Sequence, residues 1–273
     1  MGLSYFQIAG MNIHYMDYPL EYFFDTMVNL QVQNIELWGG YPHLYVEDFS
    51  FSAIKKVRKA ITLRNLNLIC FTPEQCMYPI NIAAKEAFFR EKSVNYFEKS
   101  LEVAAELNAP MMLITSGGRY LSEATDDAWK YSVDALQRLV EYADSLGILL
   151  VLEPLRKDVV NSLSSVRRMI EEVNSPSMKI IIDTNAMASG GEKLEDCFKT
   201  LENNLVHIHF IDGKPGGHLA WGDGILPLSD YVRVLNENHY QGYLTLEIID
   251  KEYYFEPDKA DRKSLEKLAY YMK

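Results

Sequence analysis

A single-domain α/β barrel of eight strands, the (β/α)₈ fold, is what this sequence predicts, and three observations predict it. Eight short runs rich in β-branched and apolar residues recur along the 273 residues. Helical stretches separate them at intervals of about 30 residues, a rhythm that implies parallel strands joined by right-handed crossovers. The glycine fingerprint GxGxxG, which would favour an open dinucleotide-binding sheet, is missing after the first run. Length agrees with one core, because α/β barrels routinely reach about 250 residues as one domain. No Pro/Gly/Ser linker, low-complexity tract or visible repeat divides residues 1–273.

In chain order the predicted strands are SYFQIAG (4–10), NIELW (34–38), NLICFTP (67–73), PMMLITS (110–116), ILLVLEP (148–154), KIIIDT (179–184), LVHIHFID (205–212) and YLTLEIID (243–250). Between the first two, Leu20, Phe23, Phe24, Met27 and Leu30 draw one apolar face on a helix. The segment 86–107 and the closing RKSLEKLAYYMK do so less cleanly. The clearest helix spans 126–146, where Trp129, Val133, Leu136, Val140 and Ala143 keep a 4-3-4-3 spacing in a single stripe. Thr125 and Asp126 are the caps at its start, and Gly147 stands where a left-handed C-terminal residue belongs.

Composition narrows the function classes. Hydrophobic residues at 48% and charged residues at 24% are ordinary globular values. No apolar run approaches the ~20 residues that span a bilayer, so no membrane partner is expected. The opening MGLSYFQIAG lacks the basic and then apolar layout of a signal peptide, which makes cytoplasmic location the expectation. Cys70, Cys76 and Cys197, odd in number and without CxxC spacing, suit reduced thiols. A formal charge of −11 with no Lys/Arg run repels polyanions and sets nucleic acid aside as a partner. Acidity alone carries no activity; that must come from a site.

A barrel keeps its functional groups at the C-terminal ends of its strands. There the later strands carry Glu153 in LLVLEPL, Asp183 in IIIDTN, His209 in VHIHFID and Glu247 in LTLEIID. Side chains two apart on a strand share a face, so Glu153 goes with Val151, Asp183 with Ile181, His209 with His207, and Glu247 with Thr245. If those faces look inward, three carboxylates and one imidazole converge on one quadrant of the mouth. One acidic strand end is equally well explained as a helix cap, but four in register point to a metal site. Clustered carboxylates in an apolar barrel repel one another and resist burial, and a divalent cation removes both difficulties. The oxygen-rich donor set favours Mn²⁺, with Mg²⁺, Co²⁺ or Zn²⁺ as alternatives. His207, one pleat deeper, is expected behind the ligands rather than among them.

Such a cation keeps open positions for a carbonyl oxygen and its neighbouring hydroxyl, and it stabilises the enediolate that forms when the adjacent C–H is deprotonated. Glu153 and Glu247 flank the Asp183 and His209 strands, so they would face opposite sides of a substrate held between them. One removes a proton and the other returns it from the far side. The result is inversion next to a ketone, or aldose–ketose isomerisation if the proton returns to the neighbouring carbon; the motif does not separate them.

These residues resemble the xylose-isomerase-like sugar isomerases and epimerases, a TIM-barrel family. The order Glu, Asp, His, Glu on strands five to eight is similar to that of the D-tagatose and D-psicose 3-epimerases. NIELWGGYPHLY (34–45), FTPEQCMYPIN (71–81), LEPL (152–155) and GDGILPL (222–228) are most similar to fructoselysine 3-epimerase. The resemblance runs through nearly the whole chain. It implies a metal-bound ketose, Glu153 and Glu247 as acid/base pair, and a dimer or larger homo-oligomer. The free-ketose enzymes carry a second Glu, a His and an Arg where this chain has Val159, Ala186 and Pro215. A substituted ketose such as fructoselysine is therefore the expected substrate, with C3 as the inverted carbon.

Residues that would choose the substrate cluster in the loops. Trp38, Tyr41 and His43 follow the second strand, where paired glycines free the backbone to turn. Glu36 points either toward the site or into a buried polar contact. Glu74 and Tyr78 follow the third strand, Arg119 the fourth, and Arg156 with Lys157 stands directly after Glu153. Such cations hold a carboxylate or phosphate where they are not simply solvated. His218, Trp221 and Asp223 lie on a glycine-rich segment placed to close over a sugar. His14 is placed at the opening and His239 at the other end of the barrel. The rival functions are a metal-dependent dehydratase or lyase on a hydroxylated carbonyl compound, a sugar-phosphate isomerase, and a non-catalytic sugar sensor.

Overall fold

The computed structural model describes residues 2–76, 79–118, 126–214 and 216–272. Eight parallel strands close into a cylinder: β1 (Ile8–Met11), β2 (Asn34–Gly39), β3 (Asn67–Pro73), β4 (Met111–Thr115), β5 (Leu149–Glu153), β6 (Met178–Asp183), β7 (Leu205–His209) and, last in sequence, β10 (Tyr243–Leu246). β10 pairs with β7 on one side and β1 on the other, which completes the ring. Between β7 and β10 an antiparallel hairpin, β8 (Asp212–Lys214) and β9 (Gly216–Leu219), stands apart from the barrel.

Strand parity divides the apolar residues into two layers. Ala9, Ile69, Cys70, Leu113, Val151 and Ile181 form a small cluster inside the cylinder. Leu150, Leu152, Ile180, Ile182, Ile208, Leu244 and Leu246 belong to the large core between strands and helices. Because Val151 and Ile181 face inward, so do Glu153 and Asp183 two residues on. The helices pack by their apolar stripes. In α4 (Asp126–Ser145), Trp129, Val133, Leu136, Val140 and Ala143 are all buried. Each large aliphatic side chain so placed contributes about 1.5–3 kcal/mol. Gly147 adopts φ +71° just past that helix, as its sequence position predicts. The cap expected at Thr125 lies outside the described residues.

Three predicted strands fall short of their apolar runs by three residues or more. At 4–10 the chain first makes a 3₁₀ turn, Tyr5–Gln7, because Ser4 Oγ accepts from Phe6 N and the Gln7 side chain accepts from Ser4 N. At 205–212 pairing stops at His209, where the Thr184 hydroxyl reaches the carbonyls of His209 and Ile211. At 243–250 the strand ends at Leu246, and Ile249 N and Asp250 N donate to the His218 carbonyl of the hairpin instead. Side-chain and loop hydrogen-bond partners replace the sheet in each case. Among the described residues no helix is long and apolar enough to cross a membrane.

Candidate metal centre

The inward faces of β5, β6 and β7, with the residue after β10, bring Glu153, Asp183, His209 and Glu247 together at the C-terminal mouth. His209 Nδ1 lies 2.9 Å from Glu247 Oε2 and 3.5 Å from Glu153 Oε1. His218 Nδ1 lies 3.1 Å from Glu247 Oε2 and 4.0 Å from Asp183 Oδ2. Donor atoms of Glu153, His209 and Glu247, and of Asp183, His218 and Glu247, each fall within 4.8 Å of one another.

Asp183 combines the two roles weighed for it. Oδ1 accepts from Ala186 N and caps α6 (Thr184–Ser189), while Oδ2 is buried with no hydrogen-bond partner among the described residues. His209 Nδ1 is buried and similarly lacks an aligned hydrogen bond, despite its closeness to two carboxylates. Buried polar atoms left this way are costly, and a divalent cation bound by both would satisfy them. On that test the donor set fits a metal.

Electrostatics describe the same centre without a cation. Burial raises the Glu153 carboxyl to about 7, against the pull of His209. Burial also opposes ionisation of Glu247, but His209 and His218 overcome it and hold that carboxyl down at about 2. Burial raises Asp183. Burial works against a charged His209, yet Glu247 and Glu36 hold its proton well above the usual histidine range. His218, opposed by burial but facing Asp183 and Glu247, is pushed up to about 10. Protons on the imidazoles therefore stand where a cation would compensate the carboxylates.

Beneath the ligands, Glu36 of β2 is fully buried and spans both strand-seven histidines. Its Oε2 lies 2.7 Å from His207 Nε2 and its Oε1 3.1 Å from His209 Nε2, and the Thr72 hydroxyl donates to Oε1. His207 Nε2 also meets Thr245 Oγ1 at 3.2 Å. The two histidines hold Glu36 ionised well below the ordinary carboxylate range, although burial opposes it. A carboxylate on Nε2 fixes the ring of His209 and turns Nδ1 toward the mouth. His207 thus stands one pleat deeper than His209 and its neighbouring donors.

The substrate residues read from the loops scatter. Trp38 packs with Met11 and Ile13 against Met16 and Ile249 at the mouth, and its Nε1 donates to Glu74 Oε2 at 2.9 Å. Glu74 also accepts from Cys76 N. Three placements need correction. The Nδ1 of His43 accepts from the Asn12 amide and its Nε2 donates to the Tyr18 carbonyl, each at 2.8 Å, so neither nitrogen is left for a sugar. Trp221 is a core residue: it packs on Phe210 and Tyr231, and its Nε1 donates to the Phe210 carbonyl that the end of β7 leaves free. His14 likewise turns inward, its Nε2 3.2 Å from Asp261 of the last helix. Arg156 is exposed beside Asp183 and Ala186. Tyr78 and Arg119 lie outside the described residues.

Sequence reasoning placed His218 on a closing segment and missed that it joins the centre. The hairpin that carries it is anchored by Asp212, whose Oδ1 accepts from Gly213 N and Leu226 N and whose Oδ2 accepts from Gly222 N and Gly224 N. A Cβ on Gly224 would come 2.2 Å from Asp212 Oδ1, so only glycine allows that approach. The turn-forming GKPGG between Asp212 and His218 was the available signal.

Comparison with known proteins places this architecture. The family model described as xylose isomerase-like TIM barrel matches residues 24–271. Fructoselysine 3-epimerase of Escherichia coli O157:H7 is 29% identical over 254 residues, covering 91% of this chain and 92% of that protein. Inosose dehydratase of Clostridium beijerinckii is 22% identical over 223 residues, 71% of this chain and 73% of that one. Among solved structures, apo 3-keto-D-glucoside 4-epimerase from E. coli superposes with a TM-score of 0.81 at 22% identity, covering 97% of this chain and 99% of that one. At that identity the superposition speaks for the fold.

Proposed function

The chain belongs to the xylose isomerase-like TIM barrel family, and from that premise we propose that it is a metal-dependent isomerase inverting C3 of a ketose, with a substituted ketose such as fructoselysine as substrate. One observation carries this reading: Glu153 at the end of β5 and Glu247 just beyond β10 approach the same His209 Nδ1, and Asp183 Oδ2, without a hydrogen-bond partner among the described residues, lies in the same mouth. Glu153, Asp183, His209 and Glu247 would hold the cation, and Mn²⁺ is our assignment for it. When bound, a divalent cation supplies Lewis-acid polarisation of the ketose carbonyl and makes the neighbouring C–H acidic.

The chain's own residues do the rest. One of Glu153 and Glu247 takes the C3 proton on its carboxylate oxygen, and the other, protonated, delivers a proton to the opposite face of that carbon. General acid–base catalysis of this kind contributes about 10²–10⁴-fold. Glu36 fixes His209 throughout, and Trp38 with Glu74 forms the wall we assign to the substrate's substituent. The resemblance implies a homo-oligomer. Light scattering on the purified chain measures it directly.

A second reading has specific support in the dehydratase relatives, since proton abstraction beside a carbonyl also begins that reaction. Incubation of the Mn²⁺-loaded protein with fructoselysine, D-psicose and a ketoinositol in D₂O separates the two. Deuterium at C3 of an inverted ketose supports the epimerase. Loss of water from the ketoinositol without turnover of either ketose removes it.

A further inference from the structure

We propose that His218 is the positioning residue of Glu247 and so gives the reaction its second face. This rests on the reading that Glu153 and Glu247 share proton transfer at one carbon. The two carboxylates are held by different means. Glu153 is the last residue of β5 and lies in sheet register with Thr115. Glu247 lies beyond the end of β10, so the sheet does not orient it.

His218 does so instead. Its carbonyl accepts from Ile249 N at 3.2 Å and Asp250 N at 3.4 Å, stitching the segment after β10 to the hairpin. Its Nδ1 faces two oxygens of Glu247, the carbonyl at 3.3 Å and Oε2 at 3.1 Å. A ring nitrogen between two acceptors carries the hydrogen, in the neutral and the charged ring alike. In the metal-free protein Nδ1 is then a donor to Glu247. Nε2 has no hydrogen-bond partner among the described residues. The Asp212 anchor makes the hairpin a rigid carrier, which such a constraint requires.

In the complete reaction the C3–H bond breaks, its proton goes to one carboxylate and its electron pair to the carbonyl system. The other carboxyl group then gives up its O–H proton as the new C3–H bond forms, and exchange with solvent resets both groups. Without His218, Glu247 loses its aim while Glu153 continues to exchange the proton it faces. Exchange is then uncoupled from inversion.

The test uses His218→Asn, whose amide nitrogen falls where Nδ1 was, His218→Gln, whose amide nitrogen falls nearer Nε2, and His218→Ala. Each is assayed with Mn²⁺ and either fructoselysine or D-psicose in D₂O. Fructoselysine and D-psicose present C3–H on opposite faces. The expected result is that, with whichever of them faces Glu153, His218→Ala lowers inversion about 10–100-fold more than it lowers deuterium exchange at C3, while with the other both fall together. Asn restores the ratio and Gln does not. Two further readouts need no turnover. In metal-free protein, ¹⁵N NMR should find the His218 proton on Nδ1, and His218→Asn should bind Mn²⁺ within about threefold of the parent.

Equal loss of exchange and inversion in His218→Ala with both ketoses overturns the proposal, as does rescue by Gln rather than Asn. A bare Nδ1, or Mn²⁺ affinity lost in Asn and Ala alike, overturns it too and makes His218 a ligand. A parent protein that neither exchanges nor inverts either ketose removes the epimerase reading instead, and the NMR and Mn²⁺ measurements still decide whether His218 holds Glu247.

Discussion

Glu153, Asp183 and His209 end strands in the later half of the barrel, whereas Trp38, His43 and Glu74 stand at or beyond strand ends in the earlier half. The later set is aimed by strand parity: a residue two places beyond an inward Val151 or Ile181 must itself look inward. Of the earlier set, Trp38 lies within β2 and shares the inward parity of Glu36, whereas His43 and Glu74, beyond strand ends, are aimed by their partners. Trp38 turns toward Glu74, and His43 is taken up by Asn12 and Tyr18. A donor that a strand aims survives changes in its neighbours, while one that a loop aims depends on them. Glu36 crosses the divide, because it belongs to β2 yet grips the histidines of β7.

Substitutions in the two halves should therefore separate. Glu247→Gln should have the largest effect, lowering turnover about 10²–10⁴-fold, as steady-state kinetics would show. A comparable loss from Trp38→Phe would erase the distinction between the halves. Glu36→Gln comes next. It should weaken Mn²⁺ binding about 10–100-fold by calorimetric titration, because His209 loses the anion that fixes its ring. Unchanged affinity would mean the earlier half plays no part in metal binding.

The pH dependence sharpens the picture further. In metal-free protein Glu153 titrates at about 7 and His218 at about 10, both above their unfolded values. Stability linked to a raised pKa is fully present below the unfolded value and lost as pH rises through the folded one. Glu153 therefore makes the metal-free barrel less stable as pH rises from 4.5 to about 7, and His218 as pH rises from 6.5 to about 10. Metal binding must displace the Glu153 proton, so Mn²⁺ affinity should fall about tenfold per pH unit below about 7 for each proton released. The gain in melting temperature on adding Mn²⁺ should accordingly grow with pH; a gain independent of pH would contradict the assignment of Glu153 as a ligand. Trp38→Phe should show the smallest effect. It removes one hydrogen bond from Glu74, worth about 1 kcal/mol, and should raise KM several-fold with Mn²⁺ affinity unchanged.

Much of the centre was legible beforehand because β parity is a local property. Positions 153, 183, 207 and 209 needed only the strand period and the rule that barrel sites lie at C-terminal strand ends. Trp221 was misjudged because a glycine-rich stretch reads as an open loop, while in the fold its indole found the Phe210 carbonyl and a packed core. His218 was assigned to a lid because nothing local reveals that Asp212 gathers four backbone amides and sets a hairpin over the mouth.

The sequence by itself determined the eight-strand rhythm, the inward parity of Glu153, Asp183 and His209, and the oxygen-rich donor set, because these follow from side-chain periodicity along single strands. Only the tertiary structure decided that β10 stops before Glu247, that His218 takes over its support, and that Glu36 reaches across from β2 to hold His207 and His209. Those contacts join residues 29 to 173 positions apart. Their formation depends on barrel closure and on where buried donors find acceptors, and no local pattern encodes either.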